Sequence, residues 1–171
     1  MNDETRLWEM LEAAWAPLGP EVGQARRALA RRTPEPGEDL YGKPPLSLVE
    51  NALKAFLDNL AELSRDLSSE ELTGLDRAVE RLLFDIDRAE IHAVTDGSDD
   101  GFLYARGFIV ALGREFYTAV NRDPRVAILD AECERLCYFF FHAHNERFGD
   151  FPDTGSGISR ETCSNREGWP T

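Results

Sequence analysis

One run of residues stands out for its chemistry: Asp96-Gly97-Ser98-Asp99-Asp100-Gly101, followed at once by Phe102. Its carboxylates fit the first six positions of a calcium-binding EF-hand loop, in which oxygen ligands alternate along a turn. The fit ends there. Position twelve is Gly107 instead of a bidentate glutamate, and the apolar pattern from Phe102 onward demands helix where a loop would continue. Ser98 instead reads as an N-cap, with Asp99 and Asp100 in the first helical turn, where the helix dipole favours negative charge. Two aspartates and a helix-weakening glycine exceed what capping needs, so Ser98, Asp99 and Asp100 are candidate binding residues.

Arg106 joins them. At 100° per residue, Phe102, Ala105, Phe108, Ile109, Leu112, Phe116 and Val120 cover a broad apolar arc, and Arg106 is caught inside it. A buried guanidinium keeps its proton and must meet carboxylates or carbonyls. It either ties this helix to a neighbour or serves as a pocket cation for an anionic group. Gly107 and Gly113 in the same stretch each weaken a helix by about 1 kcal/mol relative to alanine, which points to close approach of another backbone.

Other chemistries find less support. Cys133, Cys137 and His144 share a helical stripe, but eleven residues of helix span about 16 Å, too far for one ion. Core packing of the thiols is the better account. No G-x-S-x-G, Walker A or G-x-G-x-x-G motif is present. No metal and no cofactor is expected, and no catalytic residue is assigned.

The elements that must position these residues are helical. Residues 3–16 and 21–32 read as helices, the first capped by Asp3 and broken from the second by Pro17 and Gly19-Pro20. Residues 33–45 hold four prolines and two glycines and form a loop. Ser47 with Glu50 and Ser68 with Glu71 read as capping boxes. The first of these helices carries Leu48, Ala52, Phe56, Leu60 and Leu63 as its stripe. The second continues to about Val94, with a break near Asp87, and Gly97 closes it. The Ser98 helix runs to about Asn121, ahead of a turn at Asp123-Pro124. A last helix spans Leu129–Arg147, ended by Gly149. The expected fold is all-α: an irregular single-domain bundle of five or six helices over residues 1–150. Residues 151–171 form an irregular C-terminal tail, with Ile158 and Trp169 as anchors.

The chain has 171 residues and a formal charge of −13, from 32 acids against 19 bases. The excess is even: 17 acids against 10 bases in residues 1–85, and 15 against 9 in residues 86–171. Such a field disfavours nucleic acid and anionic membranes and favours basic partners. Arg26, Arg27, Arg31 and Arg32 form the only basic cluster and read as a solvated face or as ion-pair donors, not as a nucleic-acid patch. Three cysteines make no disulfide framework, and Met1-Asn2-Asp3-Glu4 lacks a signal-peptide layout, so a cytoplasmic location is expected.

Leu7-Trp8, Leu67-Ser68-Ser69-Glu70-Glu71, Ser98 to Phe102, Arg106, Ile109, Gly113, Phe116 and Asp123-Pro124 together resemble a bacterial family known as domain of unknown function 4240. That family has an aromatic first helix, a Leu-Ser-x-Glu-Glu helix start and a Ser-Asp-Asp-x-Phe segment. A Phe-Arg-x-Trp-Leu-Ile helix and an Asp-Pro turn follow. The likeness runs over residues 7–152 and is most specific between 67 and 125. Ala105 and Phe108 stand where the family has Phe and Trp, which keeps the apolar character. The resemblance implies a bacterial cytoplasmic helical domain and no activity.

Two functions are expected to compete. One is a non-enzymatic interaction module that turns an acidic surface to a basic protein partner, as an inhibitor or immunity protein would. The other is a small-ligand or catalytic site near Asp99, Asp100 and Arg106. The first expects the excess acids clustered on one side, Arg106 paired internally and no deep pocket. The second expects a concavity at the start of the central helix, faced by Arg106 or Asp99.

Overall fold

The computed structural model describes residues 1–170; the expected tail ends at Thr171, outside the described residues. It contains no strand among them. Nine α-helices follow in order: α1 (Asp3–Trp15), α2 (Pro20–Arg31), α3 (Leu46–Ser64), α4 (Ser69–Asp85), α5 (Ala89–Thr95), α6 (Asp99–Ala111), α7 (Arg114–Arg122), α8 (Glu134–Cys137) and α9 (Phe139–Phe148). The all-helical expectation holds, but nine helices replace the five or six expected. No described helix is long and apolar enough to cross a membrane.

The extra helices arise from breaks with identifiable causes. The expected helix over 99–121 divides at Gly113, whose φ of +98° an L side chain rarely adopts. Arg26 from α2 donates to the Leu112 carbonyl through Nη2 (2.9 Å) and Nε (3.3 Å), capping α6 from outside. Glu12 pairs with Arg26 at 2.6 Å, closing over the glycine. The expected helix over 129–147 starts only at Glu134 and breaks at Tyr138, where Arg160 Nη1 takes the Cys137 carbonyl at 2.6 Å. The break near Asp87 lies between α4 and α5 as expected.

The expected caps form in part. Ser68 and Glu71 form a complete capping box, and Ser98 Oγ accepts the Gly101 amide at 3.1 Å. Arg6 reaches the same Glu71 at 2.9 Å. Glu71 is held down to about 2 by the Ser68 amide first, with Arg6 and the Ser68 hydroxyl adding to it. Asn2, not Asp3, caps α1, and α3 starts at Leu46 without a side-chain cap, so the Ser47–Glu50 box does not form. The left-handed residue after α5 is Asp96 instead of Gly97. On α3 the buried stripe is Leu46, Val49, Phe56, Leu57 and Leu60; Leu48 and Leu63 are exposed.

α6 is the central element. Nine of its residues are buried, and it packs against α4, α5, α7 and α8. Trp15 donates its indole N–H to the Ala111 carbonyl at 2.7 Å and stacks on Phe56, so α1 and α3 are keyed to the end of α6. α8 approaches so closely that a Cβ on Gly107 would sit 2.5 Å from the Cys133 carbonyl oxygen and 2.6 Å from Cys137 Sγ. Gly107→Ala, which adds about 1 kcal/mol of stability in an exposed helix, is therefore expected to cost about 1–3 kcal/mol here. A thermal melt showing the variant as stable as the parent would contradict this contact.

The tail is irregular yet seated. Arg160 is buried, and its Nη2 lies 2.7 Å from Asp76 Oδ2 and 3.8 Å from Glu80. The Arg160–Asp76 contact is a buried ion pair at one carboxylate oxygen, and Asp76 Oδ1 has no donor of its own. Burial pushes the Asp76 carboxyl up, against the pull of Arg160. Glu80 accepts the Thr154 and Ser156 hydroxyls. Asp87, fully buried, accepts the Cys163 amide (3.1 Å), the Asn165 amide (2.9 Å) and the Trp169 indole N–H (2.8 Å). Trp169 packs on Phe102 and His92 as an anchor, whereas Ile158 is only half-buried.

Candidate functional site

Three helices turn one face each toward a groove of about 640 Å³. α6 contributes Asp100, Leu103 and Tyr104, spaced i, i+3, i+4. α9 contributes Phe139, His142, Ala143, Glu146 and Arg147, which continue the same spacing over two turns. The end of α3 adds Ala61, Ser64 and Arg65, α8 adds Glu134 and Arg135, and the tail adds Glu161. Tyr138, at the break between α8 and α9, completes the wall.

The floor is apolar and aromatic; the rim is charged. Asp100, Glu134, Glu146 and Glu161 oppose Arg65, Arg135 and Arg147 there. Tyr138 donates to Glu161 Oε1 at 3.3 Å, and the Arg160 guanidinium stacks over the Tyr138 ring at 4.8 Å. Desolvation raises the Tyr104 phenol, and Glu134 and Asp100 raise it further. Burial, then Glu161, raises Tyr138. Both phenols therefore stay protonated at neutral pH and present donors. Arg147 donates to the Leu67 carbonyl and lies over the Phe148 ring. Beyond the groove, Phe141 and Phe151 stack at 4.2 Å.

The four residues singled out from sequence have different surroundings. Asp100 is exposed and lines the groove. Ser98 is exposed and caps α6. Asp99 is exposed, but its main chain is engaged: its carbonyl accepts the Thr162 hydroxyl at 2.6 Å. Arg106 is completely buried. Its Nη1 donates to the Leu83 carbonyl (2.8 Å) and its Nη2 to the Arg160 carbonyl (2.9 Å) and Thr162 Oγ1 (3.3 Å). The Phe102 ring covers it at 4.8 Å. Burial pulls the Arg106 proton affinity down, and Asp87 supports it. Thr162 thus links Asp99 to Arg106, giving to one and taking from the other, while only Asp100 reaches the groove.

Among the described residues no group of three or more His, Cys, Asp or Glu side chains is poised around a metal position. α6 begins at Asp99, so the second half of the EF-like run is already helix. Burial raises the Cys133 and Cys137 thiols to about 11 and 12, and Cys137 donates to the Leu103 carbonyl. These are packed thiols, not ligands or nucleophiles.

The groove's aromatic residues escaped the sequence reading because Tyr104, Tyr138 and Phe139 look like ordinary core positions. Arg160 escaped it too. Its signal was indirect: Asp76 and Glu80 interrupt the apolar stripe of α4 and require an opposite charge from somewhere.

The family described as Protein of unknown function (DUF4240) matches residues 47–145, from the start of α3 into α9. The chain belongs to this family. The match takes in the groove walls from α3, α6, α8 and most of α9, and also Asp76, Asp87 and Arg106. It leaves out α1, α2 and the tail, including Arg160 and Trp169. No curated protein and no solved structure matches the chain.

Proposed function

We propose that this member of the domain of unknown function 4240 family is a binding module. Its groove between α3, α6 and α9 takes a basic segment of a partner protein that carries an aromatic or aliphatic anchor. The observation that carries this reading is the combination of an apolar floor at Leu103, Tyr104 and Phe139 with a rim on which the carboxylates of Asp100, Glu134, Glu146 and Glu161 outnumber Arg65, Arg135 and Arg147 by one. Interfaces of this kind draw affinity from a desolvated centre and orientation from rim charge. The chain's net charge of −13 favours approach of a cationic partner. An inhibitor or immunity-type role is one form of such binding. Arg106 fits this reading by donating to the Leu83 and Arg160 carbonyls inside the protein, whereas the groove is a concavity that this reading did not expect.

The groove's volume also lies within the roughly 300–1,000 Å³ of small-ligand sites, which favours a second reading, a small polar ligand held between Asp100 and Arg135. Selection of a random displayed peptide library on the whole protein separates the two. The expected result is enrichment of peptides combining Lys or Arg with an aromatic residue, with affinity that falls as salt rises. The exposed triple change Asp100→Asn/Glu134→Gln/Glu161→Gln is expected to weaken those peptides about tenfold, since exposed charge pairs contribute about 0.2–1 kcal/mol each. Its melting temperature should stay unchanged. Failure to enrich any peptide, or equal binding by the triple variant, would overturn the proposal.

A further inference from the structure

A second set of chemically capable side chains lies outside the groove. Ser69 is the first residue of α4, and its hydroxyl oxygen is 2.7 Å from Nε2 of His144 on α9. The other ring nitrogen, Nδ1, is 2.7 Å from the main-chain carbonyl of Asp150, with Asp150 Oδ1 at 3.5 Å. These contacts fix the direction of the hydrogen bonds. A carbonyl only accepts, so Nδ1 carries the proton. A neutral imidazole then offers a lone pair at Nε2, and the Ser69 hydroxyl must donate to it. A serine donating to a histidine that is oriented through its other nitrogen is the polarity of a nucleophile with its base.

The surroundings suit both partners. His144 is buried at 5% exposure, with Phe148 against its ring at 5.1 Å, so it is held in place. Ser69 is exposed and reachable. The N-terminus of α4 also has spare donors. Of its orphan amides, Ser68 N is taken by Glu71 and Glu71 N by Ser68 Oγ, which leaves those of Ser69 and Glu70 for a developing oxyanion.

We infer that Ser69 is a nucleophile with His144 as its general base, and that it accepts acyl groups from small oxygen esters able to reach an exposed serine. In the first step Ser69 Oγ bonds to the ester carbonyl carbon and its proton passes to His144 Nε2. The C–O bond to the alcohol then breaks, and Nε2 returns the proton to the leaving oxygen. Water attacks the acyl-serine in the second step, giving its proton to Nε2. Collapse releases the carboxylic acid and restores the Ser69 hydroxyl. This activity stands apart from peptide binding in the groove, since none of its residues lines it.

A fluorophosphonate, which phosphonylates serines that have a working base, tests this on the full chain by intact mass and peptide mapping. One adduct is expected, on Ser69, and none in Ser69→Ala. His144→Gln is expected to slow labelling about a hundredfold or more, the usual contribution of a general base. Labelling of Ser69 no faster than of exposed Ser159 would overturn the assignment. His144 is buried and its replacement can fail to fold, so Ser69→Cys supplies a second reading. Its thiol should react with iodoacetamide at neutral pH at least tenfold faster than that of Ser159→Cys, and equal rates would overturn the assignment.

Discussion

Arg106→Ala is expected to lower stability by about 3–5 kcal/mol, the usual cost of removing one partner from a buried charged network. Three acceptors lose their donor together: the carbonyls of Leu83 and Arg160 and the hydroxyl of Thr162. Asp87 loses a favourable positive charge at the same time. Arg106→Lys is expected to recover less than half of the loss, because one ammonium cannot span acceptors on α4 and on the tail. Urea unfolding gives the cost, and hydrogen exchange gives its place. Protection should fall first in residues 160–169, whose carbonyl and hydroxyl contacts Arg106 holds. A loss below about 1 kcal/mol, the scale of a single hydrogen bond, would show that water replaces the guanidinium without penalty and that the network is incidental.

Asp87→Ala is expected to cost about 3 kcal/mol or more, because two amides and an indole N–H would be left without an acceptor in a site with no exposure. The loss should be visible optically. Trp169 is held by Asp87, whereas Trp8 and Trp15 are buried far along the chain in α1, so freeing the tail shifts emission to the red through one indole. Asp87→Asn keeps one acceptor oxygen and should fall between the parent and Asp87→Ala. The pair Arg106→Ala/Asp87→Ala should lose less than the sum of the singles, since the two charges support each other. Strict additivity would show that they act independently.

Much of the fold was legible because it is written in short-range chemistry. The Ser68–Glu71 box, the Ser98 cap and the Asp123-Pro124 turn involve residues within four positions of one another. Gly107 was also legible: a costly residue mid-helix implied a close neighbour, and α8 is that neighbour. The breaks at Gly113 and Tyr138 were not. Both depend on an arginine distant in sequence, Arg26 on the Leu112 carbonyl and Arg160 on the Cys137 carbonyl, and helical periodicity is blind to such partners. The groove was half legible. Asp100 drew attention by its charge, but Tyr104 and Phe139 gave no sign that they face a cavity instead of the core. Ser69 and His144 lie 75 positions apart, with no motif to join them.

The tail's grip on Arg106 sets an order on how the molecule is made. A ribosome delivers Arg106 54 residues before the Arg160 carbonyl it binds. Until those residues emerge, the guanidinium has only Leu83 behind it and must remain in water, so α6 cannot take its final seat in a growing chain. The nascent protein is therefore expected to wait with its central helix loosely docked and its apolar surface open. Chaperone contact should concentrate in that interval and cease once Trp169 has reached Asp87.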